Sequence, residues 1–367
     1  MPAISRSLLV LFSALLFSSA LNAQYKVREI ARVGGIPWGL TLIDDERLVF
    51  TRREGSAGLL DIGSGKVSEL SGLPPVHAEG QGGLLDVAAA PDHASSGLLY
   101  FTYSKPVRGE GATTLARARL DGTRLADWQD LLVTDSVTDT GRHYGSRITF
   151  DNRGYLYFGV GDRGERPTGQ DRSNHAGSIL RLNADGSVPA DNPFVGQPGI
   201  QPEIWSYGHR NPQGLTFDPV TQRLWEIEHG PRGGDEINLV EKGLNYGWPV
   251  ISYGKEYWGP LSVGEDTQRA GMEQPVKYYV PSIAPSSLIV YQGELFPEWK
   301  GALMSGALKL RHINIVKVHG DGREVEEDRI LEDLGERIRA LTQDRRGYIY
   351  LSTDSGRILR LEPDGGS

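Results

Sequence analysis

His143 and Asp162 are the two residues from which chemistry can be read first. They stand near the ends of GRHYGSRITFDNRGYLYFGVGDRG, residues 141–164, whose D-N-R-G centre is a turn signal between two short apolar runs. A turn at Asp151-Asn152-Arg153-Gly154 puts Phe150 opposite Tyr155, and the same register puts His143 opposite Asp162. Opposed residues of an antiparallel pair share a face, with Cβ atoms about 4.5–5.5 Å apart, so the carboxylate can bond the imidazole. A His held by an Asp keeps one tautomer and becomes more basic, as a general base requires. Such a pair is also common as plain structure, so the reading depends on what else converges with it.

Several polar segments do. VHAEGQGGLLDVAAAPD carries Gln81 in a Gly-rich turn, and EIWSYGHRNPQGLTFDP carries Arg210 and Asn211 before a Pro-Gln-Gly turn. SGALKLRHI adds Lys309, and GERIRALTQD adds Arg337 and Arg339. Each is expected where a strand group begins. Together the four cations predict a pocket for a ligand with several carboxylates or phosphates, which Arg binds in bidentate fashion. EHGPRGGDEINLVEKGLNYGWP joins Asp235 and Glu236 to a Gly/Pro-rich turn, a set of hard oxygen ligands suited to calcium. No nucleotide-binding glycine motif and no Cys/His zinc spacing occurs.

The elements that must position these residues are short strands. The chain opens MPAISRSLLVLFSALLFSSALNAQ, with Arg6 ahead of an apolar run too short for a comfortable span, which predicts a secretory signal peptide cleaved after Ala23. The expected product, 24–367, is one domain in the periplasm or outside the cell, with no stable membrane insertion. It contains no cysteine, so burial, with bound ions as a further source, must stabilise it where disulfides could form. Loss of Arg6 makes it one unit more negative than the -8 of the full chain, which argues against nucleic acid and anionic membranes as partners.

A pattern of turn, Gly or Arg, and aromatic strand recurs as DDERLVFTRRE, SSGLLYFTYSK, NRGYLYFGVGDRG, TQRLWEIEHGPRGG, WKGALMSGALK and RRGYIYLSTDSG. Glycine is abundant, at 47 residues, and helix-period segments are scarce. Six copies at loose but regular spacing predict an all-β, six-bladed β-propeller. The strand near Tyr25–Val33 is expected to join the last blade beside Arg357–Leu361 and close the ring.

The motifs IPWGLTLIDDERLVFTRREG, GQGGLLDVA, RHYGSRITF, VGDRG, QDRSNHAGSILRLNADGSVPADNPF, SYGHRNPQGL, EHGPRGGDEINLV, NYGWP and IRALTQD occur in this order over nearly the whole chain. In them the sequence resembles the soluble quinoprotein glucose/sorbosone dehydrogenase family, most closely its bacterial PQQ-dependent aldose sugar dehydrogenases. The resemblance implies a six-bladed propeller that oxidises aldoses at the anomeric carbon to lactones. It implies PQQ and Ca2+ as cofactors and hydride transfer to the quinone, with His143 as base supported by Asp162. Gln81, Arg210 and Asn211 would line the quinone side, with Arg210 stabilising charge on the reduced quinone oxygen. Lys309, Arg337 and Arg339 would face the cofactor's carboxylates, and Tyr257 would be the aromatic beside it. Carbonyls at Gly230 and Pro231 would hold one calcium ion, and Glu236 with the carbonyl of Tyr246 a second, structural one.

The expected partners are an aldose and an electron acceptor of unknown identity, and the short loops favour a monomer over a dimer. Two rival readings are weighed: a calcium-dependent lactonase and a non-catalytic ligand-binding propeller. The first needs a carboxylate-rich metal centre on the axis, where this sequence supplies cations. The second would have lost the base or the cations.

Overall fold

The computed structural model describes residues 25–320 and 324–365, and the expected leader, 1–23, lies outside the described residues. Six four-stranded antiparallel sheets follow one another along the chain. The first strands, which pack around the axis, are Pro37–Leu42, Leu84–Ala89, Ile148–Phe150, Pro212–Asp218, Ile289–Val290 and Ile338–Gln343.

The six sequence repeats become the second strands of the six blades: Arg47–Arg52, Leu98–Val107, Leu156–Val160, Arg223–Glu228, Leu303–Gly306 and Ile349–Thr353. Blades press on both of their faces, so these strands are apolar without strict alternation, and Leu156–Val160 and Ile349–Thr353 are buried at every residue. Turn chemistry sets their starts. The Asp151 carboxylate accepts the N–H groups of Arg153 and Tyr155 at 2.9 and 3.0 Å, and Asp344 does the same for Arg346, Gly347 and Tyr348. Six apolar clusters form between neighbouring blades, one at each junction.

Ring closure follows the expected pairing. Tyr25–Arg32 lies antiparallel to Arg357–Pro363, with Tyr25 opposite Pro363 and Arg32 opposite Arg357, and it supplies the outer strand of a blade otherwise made by the C-terminal end. One side chain ties the ring at its centre. The Arg147 guanidinium pairs with Asp86 at 2.9 Å, donates to the carbonyls of Gln213, Ser286 and Arg339, and lies 4.0 Å over the Trp38 ring. Those partners, with Arg147 itself, represent all six blades. Removing one member of such a buried, hydrogen-bonded pair strands the other and costs about 3–5 kcal/mol.

The hairpin register differs from the sequence reading. Phe150 pairs with Leu156, not Tyr155, and regular pairing is confined to Ile148–Phe150. Beyond it the backbone bulges: His143, Gly145 and Ser146 all have positive φ, and the Ser146 N–H bonds the Gly159 carbonyl at 2.7 Å. The extra residue shifts pairing by one along this stretch. A Cβ on Gly145 would lie 2.6 Å from the Gly159 oxygen, and one on Gly161 2.2 Å from the His143 oxygen, so glycine is required on both sides.

Candidate active site

The bulge carries His143 to Asp162. Imidazole Nδ1 lies 2.6 Å from Asp162 Oδ1, and the carboxylate also accepts the Gly164 N–H at 2.7 Å and the Trp248 indole N–H at 2.7 Å. Burial pushes the Asp162 pKa up, but the bond from His143 and the nearby Arg210 charge outweigh it and hold the carboxyl below its usual range. An ionised carboxylate only accepts, so Nδ1 carries the proton and Nε2 keeps its lone pair. Burial lowers the His143 pKa; Asp162 opposes this, and Arg210 and Arg163 add to it. The imidazole is therefore neutral at neutral pH, as a base must be before it acts.

Tyr144 and Gly145, the residues after His143, line a cavity of about 210 Å³ whose wall does not include His143 itself. Its wall includes Gln81, Tyr144, Gly145, Asn211, His229, Arg337 and Arg339. Gln81 Oε1 accepts the His143 backbone N–H at 2.8 Å, and Asn211 Oδ1 accepts that of Gly145 at 3.3 Å, so two predicted site residues also hold the bulge. Arg337 and Arg339 both pair with Asp354, at 2.7 and 2.8 Å, which fixes two guanidinium groups at the wall. Sequence reasoning missed Arg53, a third cation in the wall, and the apolar floor of Trp38 and Leu85. It also missed His229, whose Nε2 donates to the Pro285 carbonyl and whose pKa burial pushes down to about 3. The EHGP motif carries the signal for His229, an imidazole set directly before the Gly-Pro turn.

Other predicted residues lie elsewhere. Arg210 sits behind the cavity wall: its Nη1 donates to the carbonyls of His229 and Gly230 at 2.9 and 2.7 Å, and its Cζ lies 5.3 Å from the Trp248 ring centre. Lys309 follows the strand Leu303–Gly306 and is exposed, so it does not begin a blade. Tyr257 is 66 % exposed, on a loop tied down by the bidentate Arg166–Glu256 pair. Asp235 and Glu236 open the third strand of blade four, on the same end of the ring as the blade starts.

The predicted metal residues divide. Gly230, Glu236 and Tyr246 line a second, water-sized space of about 10 Å³ together with Glu228, whereas Pro231 does not reach it. Glu236 lies directly opposite Glu228 on the paired strand, and no Lys or Arg among the described residues forms a salt bridge with either. Burial and the Glu228 charge push the Glu236 pKa well up. Two carboxylates without a salt-bridge partner, that of Glu228 buried and that of Glu236 half-buried, beside a space of this size fit a hard divalent cation, with Arg210 also on its wall but bonded to carbonyls. The main cavity, with three guanidinium groups in its wall, fits a planar polycarboxylate.

A six-bladed propeller with an Asp-oriented imidazole at a cationic cavity defines a class of protein, and the comparisons place the chain within it. Residues 35–360 match the family model described as Glucose / Sorbosone dehydrogenase, and the chain belongs to that family. The aldose sugar dehydrogenase YliI of Escherichia coli is 42 % identical over 89 % of this chain and 90 % of its own. The apo-form structure of the soluble aldose sugar dehydrogenase of Escherichia coli superposes with a TM-score of 0.88 at 40 % identity, over 92 % of this chain and 99 % of that one. The PQQ-bound aldose sugar dehydrogenase of Streptomyces coelicolor does so with a TM-score of 0.76 at 28 % identity, over 93 % and 98 %. The family and its relatives support sugar oxidation in general terms. No helix among the described residues is long and apolar enough to cross a membrane.

Proposed function

We propose that this protein oxidises aldoses at the anomeric carbon to the corresponding lactones, using PQQ and Ca2+. The observation that carries the reading is the neutral, Asp-oriented His143 beside a cavity walled by Arg53, Arg337 and Arg339. The relatives named for aldose sugar oxidation, and the one solved with PQQ, support it.

In this reading His143 Nε2 takes the proton of the anomeric hydroxyl, and Asp162 stabilises the imidazolium that forms. Trp248 and Gly164 keep Asp162 ionised and aimed. Arg337 and Arg339, held by Asp354, bind carboxylates of the cofactor, and Gln81 and Asn211 hold the backbone of the bulge beneath the base. PQQ, when bound, supplies the two-electron acceptor for the anomeric hydride, and calcium makes it more electrophilic. Glu236 and the Tyr246 carbonyl would hold a structural calcium ion, and the Gly230 and Pro231 carbonyls the ion beside the cofactor. For the Gly230 carbonyl this means exchanging the Arg210 bond seen here. That exchange would also free Arg210 toward the quinone, while Lys309 and Tyr257 would reach the ligand only by closing over it.

A lactonase reading finds no open carboxylate centre on the axis among the described residues, because Asp86 there is paired with Arg147. The test is reconstitution. Apoprotein given PQQ and Ca2+ should reduce an artificial electron acceptor when aldoses are added, and absence of cofactor uptake would end the proposal.

A further inference from the structure

Behind the Glu228–Glu236 pair lies a group of side chains that sugar oxidation does not use. His209, Glu226 and Glu228 each offer a ligand atom within 4.8 Å of the others, and all three are buried. The strand Arg223–Glu228 presents Glu226 and Glu228 on one face, two residues apart, and the segment before the next blade brings His209 against them.

Their unmet bonding points inward. His209 is fully buried; its Nε2 lies 2.9 Å from Ser206 Oγ, its ring stacks on Tyr246 at 4.7 Å, and its Nδ1 has no hydrogen-bond partner. Glu228 Oε1, itself an acceptor, lies 3.7 Å from that nitrogen. Glu226 Oε2 accepts from Asn238, but Glu226 Oε1 and Asn238 Oδ1 are both buried and unpartnered. No Lys or Arg among the described residues forms a salt bridge with Glu226 or Glu228. Glu228 Oε2 accepts the backbone N–H groups of Arg210 and Asn211, but His209 Nδ1 and Glu226 Oε1 stay buried and unpartnered beside Glu228 Oε1, an arrangement that burial disfavours unless a cation joins them.

We infer that His209, Glu226 and Glu228 bind a divalent first-row metal ion such as Mn2+ or Zn2+, at a site next to the calcium space of the proposed function, with Glu228 on the wall of both. The ligand set decides the class of ion. Imidazole nitrogen with carboxylate oxygen suits zinc and its first-row neighbours, whereas calcium takes oxygen alone. Ligands to such an ion at about 2.0–2.2 Å stand roughly 3–4 Å apart, which small side-chain shifts reach from the present spacing. The Ser206 hydroxyl can accept from Nε2–H, and in that tautomer Nδ1 is free to ligate, with the second nitrogen supported as in known metal sites. The ion would link the segment before blade four to its second strand, so its role is to stabilise the wall behind Arg210.

The test leaves sugar oxidation aside. The full chain is stripped with EDTA, saturated with Ca2+, and then titrated separately with Mn2+ and Zn2+, with elemental analysis after gel filtration and thermal unfolding as readouts. The expected result is one equivalent of Mn2+ or Zn2+ retained on the calcium-loaded protein and a melting point raised by roughly 2 °C or more. Glu226→Leu should retain none and show no rise, while its metal-free form melts at or above the wild type because a stranded buried charge is gone. Should Glu226→Leu fail to fold, Glu226→Gln should bind the ion at least tenfold more weakly. Calcium-loaded wild type that takes up neither ion, or uptake unchanged in the variant that folds, would overturn the inference.

Discussion

Two histidines in blade three, His143 half-buried and His175 buried, are each held by a carboxylate, and they behave in opposite ways. His143 Nδ1 lies 2.6 Å from Asp162, and His175 Nδ1 lies 2.5 Å from Asp135. The second ring nitrogen makes the difference. On His175, Nε2 reaches a second carboxylate, Glu203, at 3.3 Å, so both nitrogens are occupied and the bonds to Asp135 and Glu203 raise its pKa against the opposing effect of burial. On His143, Nδ1 alone is bonded among the described residues, and burial with the nearby Arg210 charge lowers the pKa. A His–Asp contact alone therefore does not mark a base. A free nitrogen, with cations nearby to keep it neutral, does.

The comparison can be broken most directly by exchanging roles. His143→Ala should lower turnover by about 10²–10⁴-fold while PQQ binding persists, whereas His175→Ala should leave turnover of the folded protein within a few fold. Steady-state rates and cofactor titration of the two variants check this. Similar losses in both would show that the difference between the two nitrogens is without consequence.

Stability should separate them next. His175→Gln removes hydrogen bonds to two carboxylates that join three loops, and should cost about 1–2 kcal/mol in denaturant unfolding, discounted because Asp135 is half exposed.

Their pH dependences should carry opposite signs. His175, with its folded pKa raised, contributes stability that is full below its ordinary value of about 6.5 and is lost as pH rises through the raised value. His143, with its folded pKa lowered, contributes stability that is full above about 6.5 and is lost as pH falls through the lowered value. Melting points of wild type, His175→Gln and His143→Gln from pH 5 to 8 check this. The gap between wild type and His175→Gln should widen on acidification, and the gap for His143→Gln should narrow. The same lowered pKa places the acid limb of kcat/KM below pH 6.5.

The smallest effect is expected from Trp248→Phe. It removes one of the donors to Asp162, so the Asp162 pKa should rise, with turnover falling a few fold and the acid limb shifting. An unchanged pH profile would show that Trp248 only packs there.

Much of the fold was legible because its signals are local. The pattern of turn and apolar strand is complete within one short segment, as where Asp151 or Asp344 bonds the backbone two and four residues on ahead of the strand, and six copies of that pattern counted the blades correctly. The Tyr25–Val33 strand was placed by a different logic, since closing the ring beside Arg357–Leu361 leaves no sheet edge free. The pairing of His143 with Asp162 was anticipated for an incomplete reason. The regular register fails beyond Ile148, and a bulge that needs Gly145 and Gly161 delivers the imidazole instead.

What the sequence determined by itself was the kind of residue available at each turn and the number of turns, because hydrogen bonds of short range and apolar runs decide both. Only the tertiary structure decided which of these residues meet. Trp248 donates to Asp162 from 86 positions away, and Arg339 receives a bond from Arg147 across 192. Arg53 enters the cavity wall while Arg210 turns to the carbonyls behind it. Closing a ring brings remote turns to one end at distances that no local spacing encodes, and burial there sets which nitrogen of which histidine stays free.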